Sequence, residues 1–385
     1  MSLPQLKPPF LAIHIGAGFI KKKNEESYKK LINKSLIEGM KTLQSKNDSG
    51  CRLLAEEAVI AAVRVLEESG QVNCGNGSNL TIDGSVECDA TCMYSCNLHK
   101  VQQEKTESCK RKRHFASVGA VPGVVSPVSL CGKVAESSQA GLLPHGLIPP
   151  RVLVGEGARQ WARDNGAEDL LTSPANMVCT SALQKWSRYL SMVSPRQSRK
   201  RQRRAATNSF ASKEDLESND WLQSCETVGA VCVDSNGHIA TAVSSGGIHL
   251  KPAGRIGHAA TYGAGCWITD DADNTDSNKA KYICAASSSG CGEGLIETLF
   301  ARTISQKAAS SVPTNPGIRS LLDKVLRRYP PGSSYSKAGV IILHYNTDSA
   351  DVHFSWAYNT KVFALGYISG NDPEPTSIIS RQDVG

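Results

Sequence analysis

The stretch LQSCETVGAVCVDSNGHIATAVSSGG, residues 222–247, contains the sharpest change of character in the chain. As far as Glu226 the sequence is polar and charged, and from Thr227 it becomes an apolar run that is typical of a buried strand. A second apolar run, GHIATAVSS, follows and ends in two glycines. This apolar strand therefore opens on a hydroxyl that stands directly behind a carboxylate.

A hydroxyl in this position has two interpretations. It is a weak nucleophile unless a base stands beside it, and one such base is the residue's own backbone amine, freed when the preceding peptide bond is cut. A free α-amine titrates near pH 7.7, roughly, so that much of it is neutral at cellular pH and can accept the hydroxyl proton. The alternative is that Thr227 merely begins a strand, as threonines commonly do.

Length and composition place the chain among ordinary folded proteins. It has 385 residues, 40% of them apolar, which suffices for one large core or two smaller ones and excludes global disorder. No run of about 18 apolar residues occurs, so we expect no transmembrane helix and no membrane partner. The N-terminal sequence MSLPQLKPPFLAIHIGAG has too short an apolar part for a secretory signal.

Thirteen cysteines form no CxxC pair, and no histidine follows them at zinc-finger spacing. Cys88, Cys92 and Cys96 recur at every fourth residue, which is compatible with a metal site, but each falls in or beside strand-like sequence. We therefore predict reduced thiols, no bound metal, and a location in the cytoplasm and nucleus.

The net charge of +7 is unevenly distributed. KRKR spans residues 110–113, and RQSRKRQRR spans residues 196–204. The longer cluster contains Arg196, Arg199, Lys200, Arg201, Arg203 and Arg204. No aromatic residue interleaves with it, so we expect no direct contact with nucleic acid. Two interpretations stay open for it: a solvated loop, or a nuclear-import signal that an importin-type receptor binds.

The chain divides into two segments at the polar stretch. Residues 1–226 contain a part that is expected to fold, about residues 8–192, and a flexible basic linker over about residues 193–226. The linker is too long for an ordinary connection inside a compact domain. Residues 227–385 form the second segment. Both segments mix helical spacing with strand-like runs, which favours one α+β domain built from the two together.

Hydrophobic spacing locates several elements within these segments. It predicts helices over residues 27–45 and 50–70, and a further helix near residues 279–305. The runs KAGVIILHY, VHFSWAY and VFALGYIS near the C-terminus predict strands, and residues 116–129 are strand-like as well.

Several glycine-rich motifs share one resemblance. TVGAV, AVSSGG, GRIG, GAG and SGCGE, with HIGAG, NCGNGSNL, ECDA and IPPRVLVGEGA, resemble the N-terminal-nucleophile hydrolases of the type-2 asparaginase family. The likeness extends over most of the chain, and GNGSNL, VSSGGIHLK, GRIGHAA and GAGCW look closest to the threonine aspartase branch. It implies a four-layer αββα sandwich, catalysis without a cofactor, an αβ heterodimer after self-cleavage, and pairing of two such units.

The resemblance also implies roles for single residues. Thr227 matches the nucleophile, and Ser245 matches a second hydroxyl that contacts it. Ser289 and Gly290, in SGCGE, match the segment that supplies donors to the oxyanion. Arg255, in GRIG, matches an arginine that clamps a substrate carboxylate, for which its planar fork of donors is well suited.

Four further residues are expected around the substrate. Asn73 and Asn79 match asparagines near the cleft, although asparagines also stabilise turns on their own. Gly16 matches a turn against which the scissile segment packs. His258 stands where small-molecule asparaginases of this family carry an aspartate that holds the free amino group of asparagine. Because histidine supplies no permanent negative charge, the site suits an aspartyl residue within a polypeptide better.

These assignments predict that the protein cuts its own bond between Glu226 and Thr227 and then acts as a threonine-type endopeptidase on protein substrates, after aspartate. Threonine aspartases carry aspartate at the position of Glu226, and the extra methylene leaves the rate of self-cleavage open. Residues 94–116 form an insertion to which the sequence assigns no role. Two alternatives stay open: an asparaginase or isoaspartyl peptidase acting on small β-aspartyl amides, and an unprocessed nuclear binding protein.

Overall fold

The computed structural model describes residues 8–18, 20–45, 54–97, 111–193, 226–269, 282–309, 314–330 and 333–382. The basic cluster at residues 196–204, the remainder of the predicted linker between residues 194 and 225, and residues 98–110 of the insertion lie outside the described residues. What the sequence predicts for them stays a prediction.

Helices and strands occur in both segments. The helices are α1 (Glu25–Gln44), α2 (Ala55–Glu68), α3 (Pro127–Gln139), α4 (Gly155–Asp164), α5 (Thr180–Val193), α6 (Gly292–Glu297), α7 (Phe300–Ala308) and α8 (Asn315–Leu326). The strands are β1 (Phe10–Gly18), β2 (Cys88–Asn97), β3 (Arg111–Val121), β4 (Val152–Val154), β5 (Val228–Val233), β6 (Ile239–Ser245), β7 (Cys266–Thr269), β8 (Tyr282–Gly290), β9 (Ala338–Asn346), β10 (Val352–Tyr358), β11 (Val362–Ser369) and β12 (Thr376–Arg381).

Two sheets form the centre of the molecule. The larger has the strand order β12-β11-β1-β5-β6-β2-β3-β4, and the smaller has the order β10-β9-β8-β7. β5 lies inside the larger sheet, antiparallel to β1 on one side and to β6 on the other. Since β5 begins at Val228, Thr227 stands at the start of a central strand.

Helices α1, α2 and α3 cover the outer face of the larger sheet. β1 shows the alternation of a strand that is buried on both faces: Leu11 and Ile13 join the core under the helices, while Ala12 joins the core between the sheets. The helices predicted over residues 27–45 and 50–70 are confirmed as α1 and α2.

The smaller sheet packs face to face against the larger, and α7 and α8 cover its other side. Val231 and Trp267 share the core between the two sheets. Ile304 of α7 and Leu322 of α8 pack against the outer face of the smaller sheet. The layers therefore follow the order helix, sheet, sheet, helix, and the predicted α+β fold, an αββα sandwich, is confirmed.

The helix predicted near residues 279–305 is wrong in its first half. β8 occupies Tyr282–Gly290 and pairs with both β7 and β9, and helix starts only at Gly292. A strand that is covered on both faces has no polar face, so its run of apolar and small residues resembles a buried helix. Residues 116–129 are also only partly extended, because β3 ends at Val121 and Ser126 caps α3.

None of the helices in the described ranges combines the length and the hydrophobicity that a membrane span requires. Cys88 and Cys92 are buried in β2, and Cys96 is half-buried there. Within the part of the chain that the structure describes, no group of three or more His, Cys, Asp or Glu side chains is arranged to hold a metal ion.

Candidate active site

The hairpin of β5 and β6 brings Thr227 and Ser245 together. Its antiparallel register pairs Val228 with Ser244, so the next residue on each strand stands opposite the other at the open end. The Thr227 hydroxyl donates to the Ser245 hydroxyl oxygen at 3.1 Å, and both side chains are buried. The hairpin length thus accounts for the separation of 18 residues between the two hydroxyls in the sequence.

The smaller sheet contributes Ser289, near the end of β8. Its hydroxyl oxygen accepts the main-chain N–H of Thr227 at 3.3 Å and that of Ala17 at 3.1 Å. Ser289 therefore contacts the nitrogen that a cut before Thr227 would turn into an amine. The next residue, Gly290, lines the adjoining cleft.

Asn73 and Asn79 lie on the loop that follows α2. The Asn73 side-chain amide donates to the main-chain oxygen of Glu226 at 2.8 Å and to that of Gly247 at 2.8 Å. The main-chain N–H of Asn79 donates to the Asn73 side-chain oxygen at 2.8 Å, and the Asn79 side chain donates to the Gly247 oxygen at 2.8 Å. Because its oxygen is held in this way, Asn73 presents its nitrogen to the carbonyl group of Glu226.

Gly16 lies at an irregularity of β1, where the pairing with β11 shifts between His14 and Ala17. Its φ of 124° is a conformation that glycine adopts readily and other residues rarely do. A Cβ atom on Gly16 would stand 3.1 Å from the Cα atom of Glu226. The missing side chain therefore lets Glu226 lie directly against β1.

The Glu226 side chain is half-buried beside Gly16. Burial raises the pKa of its carboxyl group, and the ammonium group of Lys185 on α5 acts in the opposite direction. A carboxylate whose pKa is raised is a stronger base than an ordinary one. Glu226 can therefore accept a proton more readily than an exposed glutamate would.

Arg255 is held beside the cleft by an acidic partner. Its guanidinium donates from Nε and Nη2 to Glu293 Oε1 at 3.1 and 2.7 Å. Burial would raise the pKa of Glu293, but the hydrogen bond and the charge of Arg255 outweigh it and hold that pKa low. The Arg255 side chain is 13% exposed and that of Glu293 is 43% exposed, so the glutamate approaches from the rim. The pairing leaves the Nη1–Nη2 edge for a second carboxylate.

His258 follows Arg255 closely, at the start of the short turn His258–Ala260. Burial lowers its pKa to about 4, and the neighbouring charge of Arg255 adds to this effect. Among the described residues its Nε2 atom has no hydrogen-bond partner, although the atom is buried. His258 is therefore neutral at pH 7.

One cleft connects these groups. The residues predicted from the sequence that line it are Asn73, Glu226, Thr227, Ser245, Arg255, His258 and Gly290. Gly16, Asn79 and Ser289 stand behind this lining and contact it. The structure thus brings the predicted catalytic and substrate-binding residues into one place, whereas the import candidates at residues 196–204 lie outside its described part.

Sequence patterns missed several residues around the cleft. Ile248, His249, Cys291 and Ser334 also line it. Asp89 accepts the main-chain N–H groups of Gly257 at 2.7 Å and of Ala120 at 2.8 Å, and so fixes the loop that carries Arg255. Glu293 lies in the motif SGCGE and Asp89 in the motif ECDA. An acidic residue among small residues is the sequence feature that could have identified both as site residues.

A profile of the asparaginase family matches residues 7–374, which is nearly the whole chain. The chain belongs to the type-2 asparaginase family. Members of this family are hydrolases of the N-terminal-nucleophile type, and the αββα sandwich described above is consistent with that fold. The protein is accordingly a hydrolase of this class.

Named relatives of this type-2 asparaginase family member cover most of its length. The plant-type L-asparaginase of Pyrobaculum calidifontis is 29% identical over 368 residues, which is 93% of this chain and 96% of the relative. The isoaspartyl peptidase/L-asparaginase of Xenopus laevis is 27% identical over 297 residues, 77% of this chain and 74% of the relative. The enzyme of the same name from Mus musculus is 28% identical over 291 residues, 74% of this chain and 68% of the relative.

Proposed function

We propose that the protein cuts its own Glu226–Thr227 bond and then acts as a threonine-type endopeptidase that cleaves other polypeptides after aspartate, as threonine aspartases do. The observation that carries the second half of this proposal is the neutral, buried His258 beside Arg255. The contacts of Thr227 and Asn73 carry the first half.

Self-cleavage would begin with attack of the Thr227 hydroxyl oxygen on the carbonyl carbon of Glu226. The negative charge that develops on the carbonyl oxygen would be stabilised by the amide of Asn73, which already donates to it at 2.8 Å. The C–N bond then breaks, its nitrogen takes up the proton that the Thr227 hydroxyl has lost, and the acyl group is left on the Thr227 oxygen as an ester. Water hydrolyses this ester to give a Glu226 carboxylate and a Thr227 with both hydroxyl and amine free.

The freed amine would act as the base in later turnovers. It remains on the same residue as the hydroxyl that it deprotonates, so the two groups need no further alignment. Ser289, which accepts the main-chain N–H of Thr227 before the cut, would hold the amine afterwards. Ser245 would keep the hydroxyl oriented. Both products would stay together as an αβ heterodimer.

Arg255 and His258 would select the substrate. The free edge of the Arg255 guanidinium is suited to the side-chain carboxylate of an aspartyl residue. A free amino acid would also bring an ammonium group into the cleft, and the neutral His258 offers no charge to balance it. An aspartyl residue inside a polypeptide has an uncharged amide nitrogen instead, which needs no opposite charge from the protein.

A second candidate function is hydrolysis of asparagine or of small β-aspartyl peptides. The names of the relatives, plant-type L-asparaginase and isoaspartyl peptidase/L-asparaginase, favour it. Both candidates use the same nucleophile and the same clamp, so they differ only in what surrounds the scissile bond.

The two functions are distinguished by a comparison of substrates. Purified wild-type protein and a Thr227→Ala variant are incubated with a peptide containing an internal Asp–Gly bond, the same peptide with glutamate for aspartate, a β-aspartyl dipeptide and free asparagine. We expect self-cleavage and turnover of the Asp–Gly peptide alone, by the wild type alone. Preferential turnover of the dipeptide or of asparagine would establish the second function, and an intact chain without any activity would leave only a binding role.

The basic cluster at residues 196–204 is proposed as an import signal for an importin-type receptor. Its six cationic side chains in nine residues match what such receptors bind, and its position before the proposed cut leaves it on the first fragment. Replacement of the six by alanine in a fluorescent fusion should abolish nuclear accumulation. Unchanged accumulation would refute this assignment.

A further inference from the structure

A buried carboxylate lies outside the cleft and joins three elements. Glu67, in the last turn of α2, is completely buried. Its Oε1 atom accepts the hydroxyl of Ser244 on β6 at 2.6 Å and the main-chain N–H of Val128 on α3 at 3.1 Å. Its Oε2 atom accepts the hydroxyl of Ser126, the cap of α3, at 2.6 Å. Glu67 thus ties a strand of the larger sheet to two of the helices that cover it.

Such an arrangement is not what stability alone would favour. A buried carboxylate loses its hydration, and an apolar side chain of similar size packs in the same space without that loss. Burial accordingly raises the pKa of Glu67 to about 7, although its three hydrogen bonds act in the opposite direction. The N-terminus of α3 also faces the carboxylate with the positive end of its dipole. The group is therefore fully satisfied, at fixed distances from β6 and α3.

What Glu67 fixes lies directly next to the nucleophile. Ser244 precedes Ser245 on β6, and strand geometry turns the two side chains to opposite faces of the sheet. The Ser244 hydroxyl is held by Glu67 on the helix side, while the Ser245 hydroxyl accepts from Thr227 on the other. The end of β6 is therefore held from behind, at the residue adjacent to the one that touches the nucleophile.

The end of α2 also lies against the loop that carries Asn73. A Cβ atom on Gly75 would stand 2.4 Å from the main-chain oxygen of Glu67, so the loop lies directly on the end of α2. The main-chain oxygen of Asn73 accepts the N–H of Gly246 at 2.9 Å, which joins this loop to the end of β6. The loop that carries Asn73 is thus joined directly to the end of β6, the strand that the Glu67 carboxylate holds through Ser244.

We infer that Glu67 is a positioning residue, which sets the placement of the Ser245 hydroxyl against Thr227 by holding Ser244 and the end of β6. It touches neither substrate nor reacting atoms and acts only through this contact. The inference rests on the proposed function, because it concerns the rate of self-cleavage and of hydrolysis at Thr227.

The test compares three variants that remove one contact of the carboxylate each or change its charge. Ser244→Ala removes the contact with β6, and Glu67→Gln keeps the size of the side chain but replaces one acceptor by a donor. Ser126→Ala is the matched control, because it removes one contact at the start of α3 and leaves the one from Val128. Self-cleavage is followed on denaturing gels, and kcat and KM are measured with the substrate that the wild type hydrolyses best. Thermal midpoints report on folding.

We expect Ser244→Ala and Glu67→Gln to slow self-cleavage and to lower kcat at least tenfold with KM within twofold of wild type, and Ser126→Ala to stay within threefold in kcat. The double variant Ser244→Ala/Glu67→Gln should be no slower than the slower single variant, since both remove one link. The inference would be overturned if Ser244→Ala had wild-type rates, if the rate losses of the two single variants added in the double variant, or if Ser126→Ala lost as much kcat as Ser244→Ala. The comparison of Ser244→Ala with Ser126→Ala decides the matter even if Glu67→Gln fails to fold. A wild type that neither cuts itself nor hydrolyses any substrate would remove the proposed function as well, which distinguishes the two failures.

Discussion

The side-chain nitrogen of Asn73 donates a hydrogen bond to the main-chain oxygen of Glu226 at 2.8 Å. This contact already exists in the uncut chain, at the bond that the proposal requires to break. Asn73→Asp retains the shape of the side chain and removes the donor, so we expect self-cleavage to slow by about 10²–10³-fold, the usual cost of one oxyanion donor. Timed gels of refolded or freshly translated protein measure the rate.

The matched control for that change is Asn79→Asp. The Asn79 side-chain amide donates to the main-chain oxygen of Gly247 and not to that of Glu226. The fold-reduction in the rate of self-cleavage should therefore be less than a tenth of that in Asn73→Asp. Equal losses in the two variants would mean that the loop is merely distorted and that Asn73 has no direct effect on the carbonyl group.

Thr227→Ala should remain one band, whereas Thr227→Ser, which keeps the hydroxyl, should still give fragments of residues 1–226 and 227–385. The reason is that only the side-chain oxygen at this position can form the ester intermediate. N-terminal sequencing of the smaller fragment must begin with threonine in the wild type and serine in the variant. Cleavage of the alanine variant at the same bond would point to a contaminating protease and disprove self-cleavage.

Arg255→Lys should separate substrate binding from self-cleavage. The lysine keeps the positive charge but cannot offer the two parallel donors of a guanidinium, so KM for an aspartyl substrate should rise about 10–100-fold, equivalent to about 1.4–2.7 kcal/mol. Self-cleavage should change less than threefold, because the hydrogen bonds described for Arg255 go to Glu293 and not to the scissile bond. An unchanged KM would exclude Arg255 as the carboxylate clamp.

His258→Asp should move the specificity towards free asparagine. The substitution introduces, at the position of the neutral imidazole, the negative charge that an ammonium group needs. We expect the ratio of kcat/KM for asparagine to that for an Asp–Gly peptide to rise at least tenfold, about 1.4 kcal/mol. His258→Asn, which adds no charge, is the control, and a similar rise in both variants would show that charge is not what discriminates.

Acid should destabilise the fold through its buried histidines. His344 on β9 is completely buried, and burial lowers its pKa from 6.5 to about 4. Between these values the unfolded chain binds a proton that the folded chain does not, so stability is retained above pH 6.5 and falls as the pH is lowered towards 4. One such histidine lowers the free energy of unfolding by about 2 kcal/mol when the pH falls from 7.5 to 5.

That contribution is measured by urea unfolding of the wild type and of His344→Leu at the two pH values. Between pH 7.5 and 5, the free energy of unfolding should fall by about 2 kcal/mol less in the leucine variant than in the wild type, whatever the variant's stability at pH 7.5. A substitution at His145 provides the control, because that histidine is exposed. Identical losses in wild type and leucine variant would mean that His344 is protonated in the folded state.

The contact between Thr227 and Ser245 is expected from the family resemblance, and local hairpin geometry explains why it forms. The register of an antiparallel pair follows from its turn, so two hydroxyls at matching distances from one turn must face each other. The prediction fails where a strand is buried on both faces, as β8 is, because its composition no longer distinguishes it from a helix. Supporting residues from distant segments, such as Asp89 and Glu293, depend on packing that no local pattern encodes.

Glu67 is a case in between. It follows Val59 and Val63 at steps of four residues, so helical phase alone places it on the buried face of α2, whereas the next residue, Glu68, points outward. A carboxylate on an apolar helix face is therefore a signal that the amino-acid sequence itself contains. Its partners Ser126 and Ser244, which are 59 and 177 residues away, cannot be found in that way.

The strand order gives the proposed cut an unusual outcome. In the larger sheet, β11, β5 and β6 come from the chain after Glu226, whereas β1 and β2 come from the chain before it. Because the strand order is β11-β1-β5-β6-β2, strands from the two sides of the cut are interleaved as hydrogen-bonded neighbours. Scission of one peptide link would leave all of these ladders intact, and neither product could be withdrawn without dismantling the whole sandwich. The two polypeptides would thus be permanent partners: neither dilution nor excess of a foreign fragment could exchange them, and only complete denaturation would tell a nicked molecule from an intact one by size.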